Sequence, residues 1–225
     1  MSNRKQNTTS YLISFSFIIV SFVLCVELFC FNTNIMNFIQ NHITLFDKTV
    51  CEYIGIDNDT LLKLDENTLN IIQGKEYDKQ FINSYMHDYE VEHLVDCQKL
   101  NDKALIVMYI SLAILVISLF IFIKNRMSVY LLFKAYKNSL IITILFVVFL
   151  VLFALIDFYT FWTCFHLVMF PGNDGWLLSY SKDVLLMMVP QQFFEMLVGF
   201  IIVGFTTVCI ITLIILNNLR KKIYD

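Results

Sequence analysis

Between Lys103 and Lys124 the chain reads ALIVMYISLAILVISLFIFI, residues 104–123, with no charge and no proline. At about 1.5 Å of rise per residue, a helix of this length crosses the roughly 30 Å of hydrocarbon in a bilayer. Polar and apolar residues do not alternate along it, as they would in a lipid-facing barrel strand. A helix also satisfies its backbone groups internally, which lipid demands of any spanning segment. Three further runs, 11–31, 140–157 and 196–216, read the same way. Composition agrees: 58% of the 225 residues are hydrophobic and 16% are charged, against about 45–50% and about 25% in soluble domains. The expectation is an all-α membrane protein with four transmembrane helices. A net charge of −3 gives no concentration of Lys and Arg for phosphate binding, which argues against a nucleic-acid partner.

Arg4 and Lys5 precede the first run as they would in a signal peptide. That run exceeds the usual apolar core of about 7–15 residues, and no small-x-small cleavage site follows it, so it reads as a retained helix. Basic residues set the orientation. Arg4 and Lys5, then Lys124, Arg126, Lys134 and Lys137, then Arg220, Lys221 and Lys222 all fall on one side. By the positive-inside rule, that side is cytoplasmic. Residues 1–10, 124–139 and 217–225 are then inside, and both termini are cytoplasmic. Residues 32–103 and 158–195 are outside and are expected to form a helical cap, since a loop this short makes no robust core of its own.

Within the larger outer loop, 60–73 reads as a helix capped by Asp59 or Thr60 and stopped by Gly74. Residues 85–100 read as a second helix running into the next span. The inner stretch 127–136, apolar between flanking bases, is expected to lie on the membrane surface. Pro190 suits the start of the last helix. Cys51, Cys97 and Cys164 fall outside, and their odd number leaves any disulfide pairing open.

Ionisable residues gather at the outer boundary. Glu27 lies about three-quarters of the way across the first span by helical rise, where charge is expensive and a functional role is the default suspicion. Asp157 and Glu195 close and open spans, and equally well mark helix ends at the interface. His93 and Asp96 stand three apart, on one face of a helix, where a carboxylate can orient an imidazole and support its charged form. The same spacing also fits an exposed histidine on a solvated acidic helix. His87 is one of many polar loop residues and carries no distinct signal.

The second outer loop is the most informative stretch. Phe165-His166 is followed by Phe170-Pro171, then Asn173-Asp174-Gly175-Trp176, Asp183, and Pro190-Gln191-Gln192-Phe193-Phe194. Aromatic anchors at headgroup depth account for its rings, and the Pro-Gly-Asn-Asp-Gly run marks a turn. Together with His93-Leu94-Val95-Asp96-Cys97-Gln98-Lys99-Leu100, this pattern resembles the lipoprotein intramolecular transacylases, a family of bacterial four-span membrane proteins. The resemblance covers essentially the whole chain in topology. Cys97 departs from the family's usual Val, and Tyr180 interrupts an expected Asp-Pro after the tryptophan.

The resemblance implies an acyltransferase of the bacterial plasma membrane. Its partners would be diacylglyceryl-modified lipoproteins and membrane lipid, and it would work plausibly as a monomer. The sn-2 acyl chain would move from the glyceryl oxygen to the α-amine of the lipoprotein's own N-terminal cysteine, giving a lyso-form product. Donor and acceptor share one molecule, so no cofactor and no metal are called for. His93, oriented by Asp96, would be the general base, and His166 would assist as proton donor or oxyanion stabiliser; the two roles are interchangeable on this evidence. Glu27, Phe170, Pro171, Trp176 and Asp183 would bind substrate.

Three rival readings stay open. Cys97 or Cys164 could form an acyl-enzyme next to a histidine. His93, Asp96 and His166 could ligate a metal, although no HExxH or paired CxxC supports this. The same outer groove could bind lipopeptide without chemistry.

Overall fold

In the computed structural model, Asn3 to Tyr224 are described. Met1, Ser2 and Asp225, at the ends of the expected inner termini, lie outside the described residues. The described chain is helical throughout: α1 (Asn3–Cys30), α2 (Thr33–Gln40), α3 (Val50–Ile54), α4 (Asn58–Ile72), α5 (Lys79–Asn83), α6 (Asp88–Lys124), α7 (Val129–Ile156), α8 (Phe158–Met169), α9 (Val184–Met188) and α10 (Gln191–Tyr224). An isolated antiparallel bridge joins Leu45 to Lys48. Helices α1, α6, α7 and α10 are long and apolar enough to cross a membrane. Helix α6 has 37 residues, about 55 Å by helical rise and well beyond the hydrocarbon thickness. Its first turns, which are rich in charge, therefore have no need of lipid.

The chain divides into two compact units. One comprises residues 1–25, 105–162 and 202–225. Its core gathers Ile13, Leu115 and Leu132, with Phe17, Leu119, Phe122 and Leu216 packed around them. Elsewhere in this unit large apolar side chains stay exposed, Leu155 at 77% and Ile156 at 83% among them, as befits a surface solvated by acyl tails rather than water. Polar groups here bond locally. Ser14 Oγ donates to the Ser10 carbonyl at 2.7 Å and Thr143 Oγ1 to the Ser139 carbonyl at 3.0 Å. A longer tie runs from the Tyr136 hydroxyl to the Cys209 carbonyl at 3.1 Å.

The other unit comprises residues 26–104 and 163–201. Its short helices depend on their caps, because isolated helices of this length are unstable in water. Asn32 caps α2, Thr49 and Glu52 form a capping box on α3, and Asp78 caps α5. Helix α4 begins earlier than the sequence suggests. Asp57, rather than Asp59 or Thr60, accepts from Thr60 N at 2.7 Å, since only a residue outside the helical dihedrals leaves its side chain free to reach back. Gly74, at φ +66°, follows the end of α4 as expected. Helix α2 packs on α4, and α3 on α9.

Three other local expectations are revised or extended. The stretch from Val129 to Tyr136, expected on the membrane surface, forms the opening turns of α7, with Leu132, Ala135 and Tyr136 buried. Residues 158–169, expected as an interfacial loop, form α8. Asp157 ends α7 and at once caps this new helix, accepting from Thr160 N at 3.0 Å. Residues 88–100 and the span that follows are one uninterrupted helix. All six cysteines are free.

Candidate active site

The site is assembled within the second unit from the polar start of α6, the end of α8 and the turn that follows. His93 lies in the second turn of α6 and is half-buried. His166 lies in the last turn of α8 and is only 4% exposed. Separated by 73 residues in sequence, their rings approach to 5.9 Å between centroids, tilted by 34°. Phe170 completes a three-ring cluster, edge-on to His93 at 5.4 Å and 5.7 Å from His166. Trp176 stacks on His166 at 4.7 Å with an interplanar angle of 28°. Such ring contacts fix an imidazole's plane while leaving its nitrogens to polar partners.

The turn carrying Trp176 is held by its own hydrogen bonds. Asn173 Oδ1 accepts from Gly175 N at 2.7 Å, and the Asn173 carbonyl accepts from Trp176 Nε1 at 2.9 Å. Gly172 sits at φ +76°, a conformation that tolerates glycine and strains most other residues. The Asn173 amide then donates to Asp96 Oδ2 on α6. Asp96 Oδ1 also accepts from Lys99 Nζ at 2.7 Å.

Asp96 interacts with His93 electrostatically, but no described hydrogen bond joins the two; the Asp96 oxygens accept from Lys99 and from Asn173. A shared helix face brings two side chains near each other but does not aim them at one another. What meets His93 instead is Cys97, whose Sγ lies 3.7 Å from Nε2. Asn173 is therefore a residue of this cluster that the sequence did not single out, while Cys97, weighed there as a nucleophile, is found beside His93.

The remaining expected residues fall into different surroundings. Pro171 is exposed in the turn. Glu27 is half-buried on α1, faces Asn101 of α6, and keeps one buried carboxylate oxygen without a hydrogen-bond partner. Asn101 stands eight residues after His93, about 12 Å along the helix by rise, so Glu27 is displaced from the imidazoles.

Asp183 is fully buried and accepts from Ser179 N at 2.6 Å and from the Tyr89 hydroxyl, which leaves no open face for a substrate. Beside it Glu90, also fully buried, accepts from His87 N and from Leu185 N, each at 2.8 Å. His87, Glu90 and Asp183 offer ligand atoms within 4.8 Å of one another, the constellation nearest to a metal site among the described residues. All four carboxylate oxygens are, however, already receiving N–H or O–H donors. His93, Asp96 and His166 form no such group.

A further buried polar cluster lies between α2 and α4. Gln40 Nε2 donates to Asp65 Oδ1 at 2.9 Å and to the Met188 carbonyl at 3.3 Å. Gln40 Oε1, Asp65 Oδ2 and Thr68 Oγ1 are buried without partners. Burial pushes the Asp65 carboxyl up to about 7, with the Gln40 bond opposing only in part.

Chemically, the arrangement offers two imidazoles within one cluster of aromatic rings, suited to taking a proton at one position and returning it at another. Comparison with known proteins bears on the fold and the family. No curated protein matches the sequence. The fold matches the in meso structure of the membrane-integral lipoprotein intramolecular transacylase Lit from Bacillus cereus. The TM-score is 0.80 at 18% identity, over 98% of this chain and 100% of that one. A histidine-to-alanine variant of the same Bacillus cereus protein matches with a TM-score of 0.79 at 19% identity, over 97% and 95% of the two chains. Those likenesses establish the fold. The family model for lipoprotein intramolecular transacylase Lit matches residues 11–194, and with most of its length so covered the chain belongs to that family of membrane-embedded acyltransferases.

Proposed function

We propose that His93 and His166 act as general base and acid while an acyl chain moves between two ends of one lipopeptide. The chain leaves the sn-2 oxygen of the diacylglyceryl group and ends on the α-amine of the N-terminal cysteine. One observation supports this above the rest: two histidines from distant segments meet at 5.9 Å inside an aromatic frame. An α-amine with a pKa near 7.7–8.0 is largely protonated at neutral pH and must first shed that proton to solvent. The free amine then attacks the ester carbonyl. One imidazole removes the proton that nitrogen loses as the amide forms, and an imidazolium returns a proton to the departing glyceryl oxygen. The C–O bond breaks as the C–N bond is completed, and the total mass is unchanged. Proton transfers of this kind contribute about 10²–10⁴-fold each, and holding amine and ester together contributes further through effective molarity.

Phe170, Pro171 and Trp176 line the approach for the lipid. Asp96 and Asn173 hold the turn bearing Trp176 against α6. The basic residues near α1, the α6–α7 connection and the end of α10 support cytoplasmic termini, with the site on the opposite, extracytoplasmic face.

The test is mass spectrometry of the N-terminal lipopeptide of a lipoprotein expressed with this protein or its His166→Ala variant. The host must lack other N-acylating enzymes. Fragmentation should find the acyl group on the amine, at unchanged total mass, only with the wild type. An unmodified diacylglyceryl peptide in both, despite confirmed expression, would point to binding without chemistry. A second reading has an observation of its own: the Cys97 thiol lies 3.7 Å from His93 Nε2, where an acyl-enzyme would need it. Full transfer by Cys97→Val removes that reading.

A further inference from the structure

Tyr89, His93 and Asp96 stand at i, i+4 and i+7, on one face of α6, and Glu90 lies one turn before His93. The two outer members of that face, and Glu90, are tied to the 173–185 segment. Asp96 accepts from Asn173, the Tyr89 hydroxyl donates to Asp183, and Glu90 Oε1 accepts from Leu185 N at 2.8 Å. His93 thus lies between anchors on both sides. The anchors at the start of α6 are doubly secured. Glu90's second oxygen accepts from His87 N at the start of its own helix, and Asp183's second oxygen accepts from Ser179 N. The Tyr89 ring is itself braced, with His87 stacked on it at 5.2 Å and Lys182 Nζ 5.8 Å from its centroid.

We propose that Tyr89, Glu90 and Asp183 are positioning residues for the imidazole pair, a clamp that sets the start of α6 against the 179–185 segment and so fixes how His93 faces His166. Glu90 and Asp183 are both fully buried. Apolar residues would fill such positions with less desolvation, and buried charge of this kind is best attested where it sets one arrangement over others. The clamp acts through the backbone of α6 and the turn carrying Trp176. The inference rests on the two-histidine reading.

Its test uses the purified full-length protein in detergent with a synthetic S-diacylglyceryl cysteinyl peptide. Tyr89→Phe removes a hydroxyl and nothing else. It is expected to lower kcat by about tenfold, the scale of a small misplacement, with KM and melting temperature unchanged. Tyr89→Phe combined with Asp183→Asn should be no slower than the slower single variant, because both remove the same tie. In a Trp162→Phe background, where Trp176 is the remaining tryptophan, Tyr89→Phe should also alter the emission of Trp176, whose ring stacks on His166. Unchanged kcat in Tyr89→Phe, losses that multiply in the double variant, or a kcat loss matched by a falling melting temperature with unaltered Trp176 emission would each overturn the clamp. Tyr89→Phe carries the test alone if Asp183→Asn does not fold. Normal turnover in His93→Ala and His166→Ala would strike the underlying reading; normal turnover in Tyr89→Phe beside inactive histidine variants strikes the clamp alone.

Discussion

The two units of this chain differ in where their buried polar groups find partners. In the unit built on residues 105–162 with the starts and ends of the chain, hydroxyls bond back to carbonyls one turn earlier, as Ser14, Thr143 and Thr207 do. Those bonds follow from helix geometry and need no particular partner helix. In the unit holding residues 26–104 and 163–201, side chains reach across long stretches of sequence. Gln40 meets Asp65 and the Met188 carbonyl, Glu90 meets Leu185, and Asp96 meets Asn173. The first unit has distant ties too, from the Tyr136 hydroxyl to the Cys209 carbonyl and from the Asn138 amide to the Tyr11 hydroxyl, but the buried carboxylates that join remote segments, Asp65 and Glu90 among them, lie in the second. The two histidines, 73 positions apart, meet in that second unit, where such pairings hold remote segments together.

The sharpest test of this contrast removes the paired imidazoles. His93→Ala or His166→Ala should lower acyl transfer by at least about 10²-fold while leaving a folded, membrane-inserted protein. Near-normal lipopeptide conversion in both, followed by fragmentation mass spectrometry, would end the assignment. Next in size is Asn173→Ala, which cuts the tie from the turn to Asp96 without touching an imidazole. A drop in kcat of roughly 10–100-fold is expected from the misplaced turn; a rate equal to the wild type would mean that the turn is held by other means.

Asp65→Asn should spare turnover and change only how stability depends on pH. The folded state holds the Asp65 carboxyl neutral up to about 7, whereas the unfolded chain releases that proton in the ordinary carboxylate range. The contribution is therefore full below that lower range and is lost as pH rises through 7. Wild-type melting temperature should fall between about pH 5 and pH 8, and Asp65→Asn should flatten that slope; an identical slope in both proteins would refute it. The smallest effect belongs to the locally bonded unit. Ser14→Ala is expected to change stability by under about 0.5 kcal/mol and turnover not at all, and a large loss in thermal melts would show that its hydroxyl has a partner beyond the helix.

Much of the molecule was legible in one dimension. The run 104–123 and its three counterparts declared the membrane class, because length and apolarity are properties of a segment alone. The His93 and His166 motifs named the family to which the chain belongs. Local detail was less secure where one residue serves two elements. Asp157 reads as the end of a span, yet it also caps α8, so the stretch containing His166 is helix rather than loop. The onset of α7 at Val129 was missed for a similar reason: an apolar stretch between basic residues reads equally as a surface segment or as an extended helix end.

The functions of particular carboxylates lay beyond reach of the sequence. Spacing set Asp96 beside His93 and the family resemblance set Asp183 among the substrate-binding residues; in the fold both carboxylates also make ties between α6 and the 173–185 segment. Glu90 and Tyr89 carried no signal, since their partners stand more than ninety residues away. Hydrophobic class and helix placement are sums over neighbouring residues, so the sequence by itself determined them. Which oxygen receives which donor depends on where remote backbone comes to rest, and that only the tertiary structure decided.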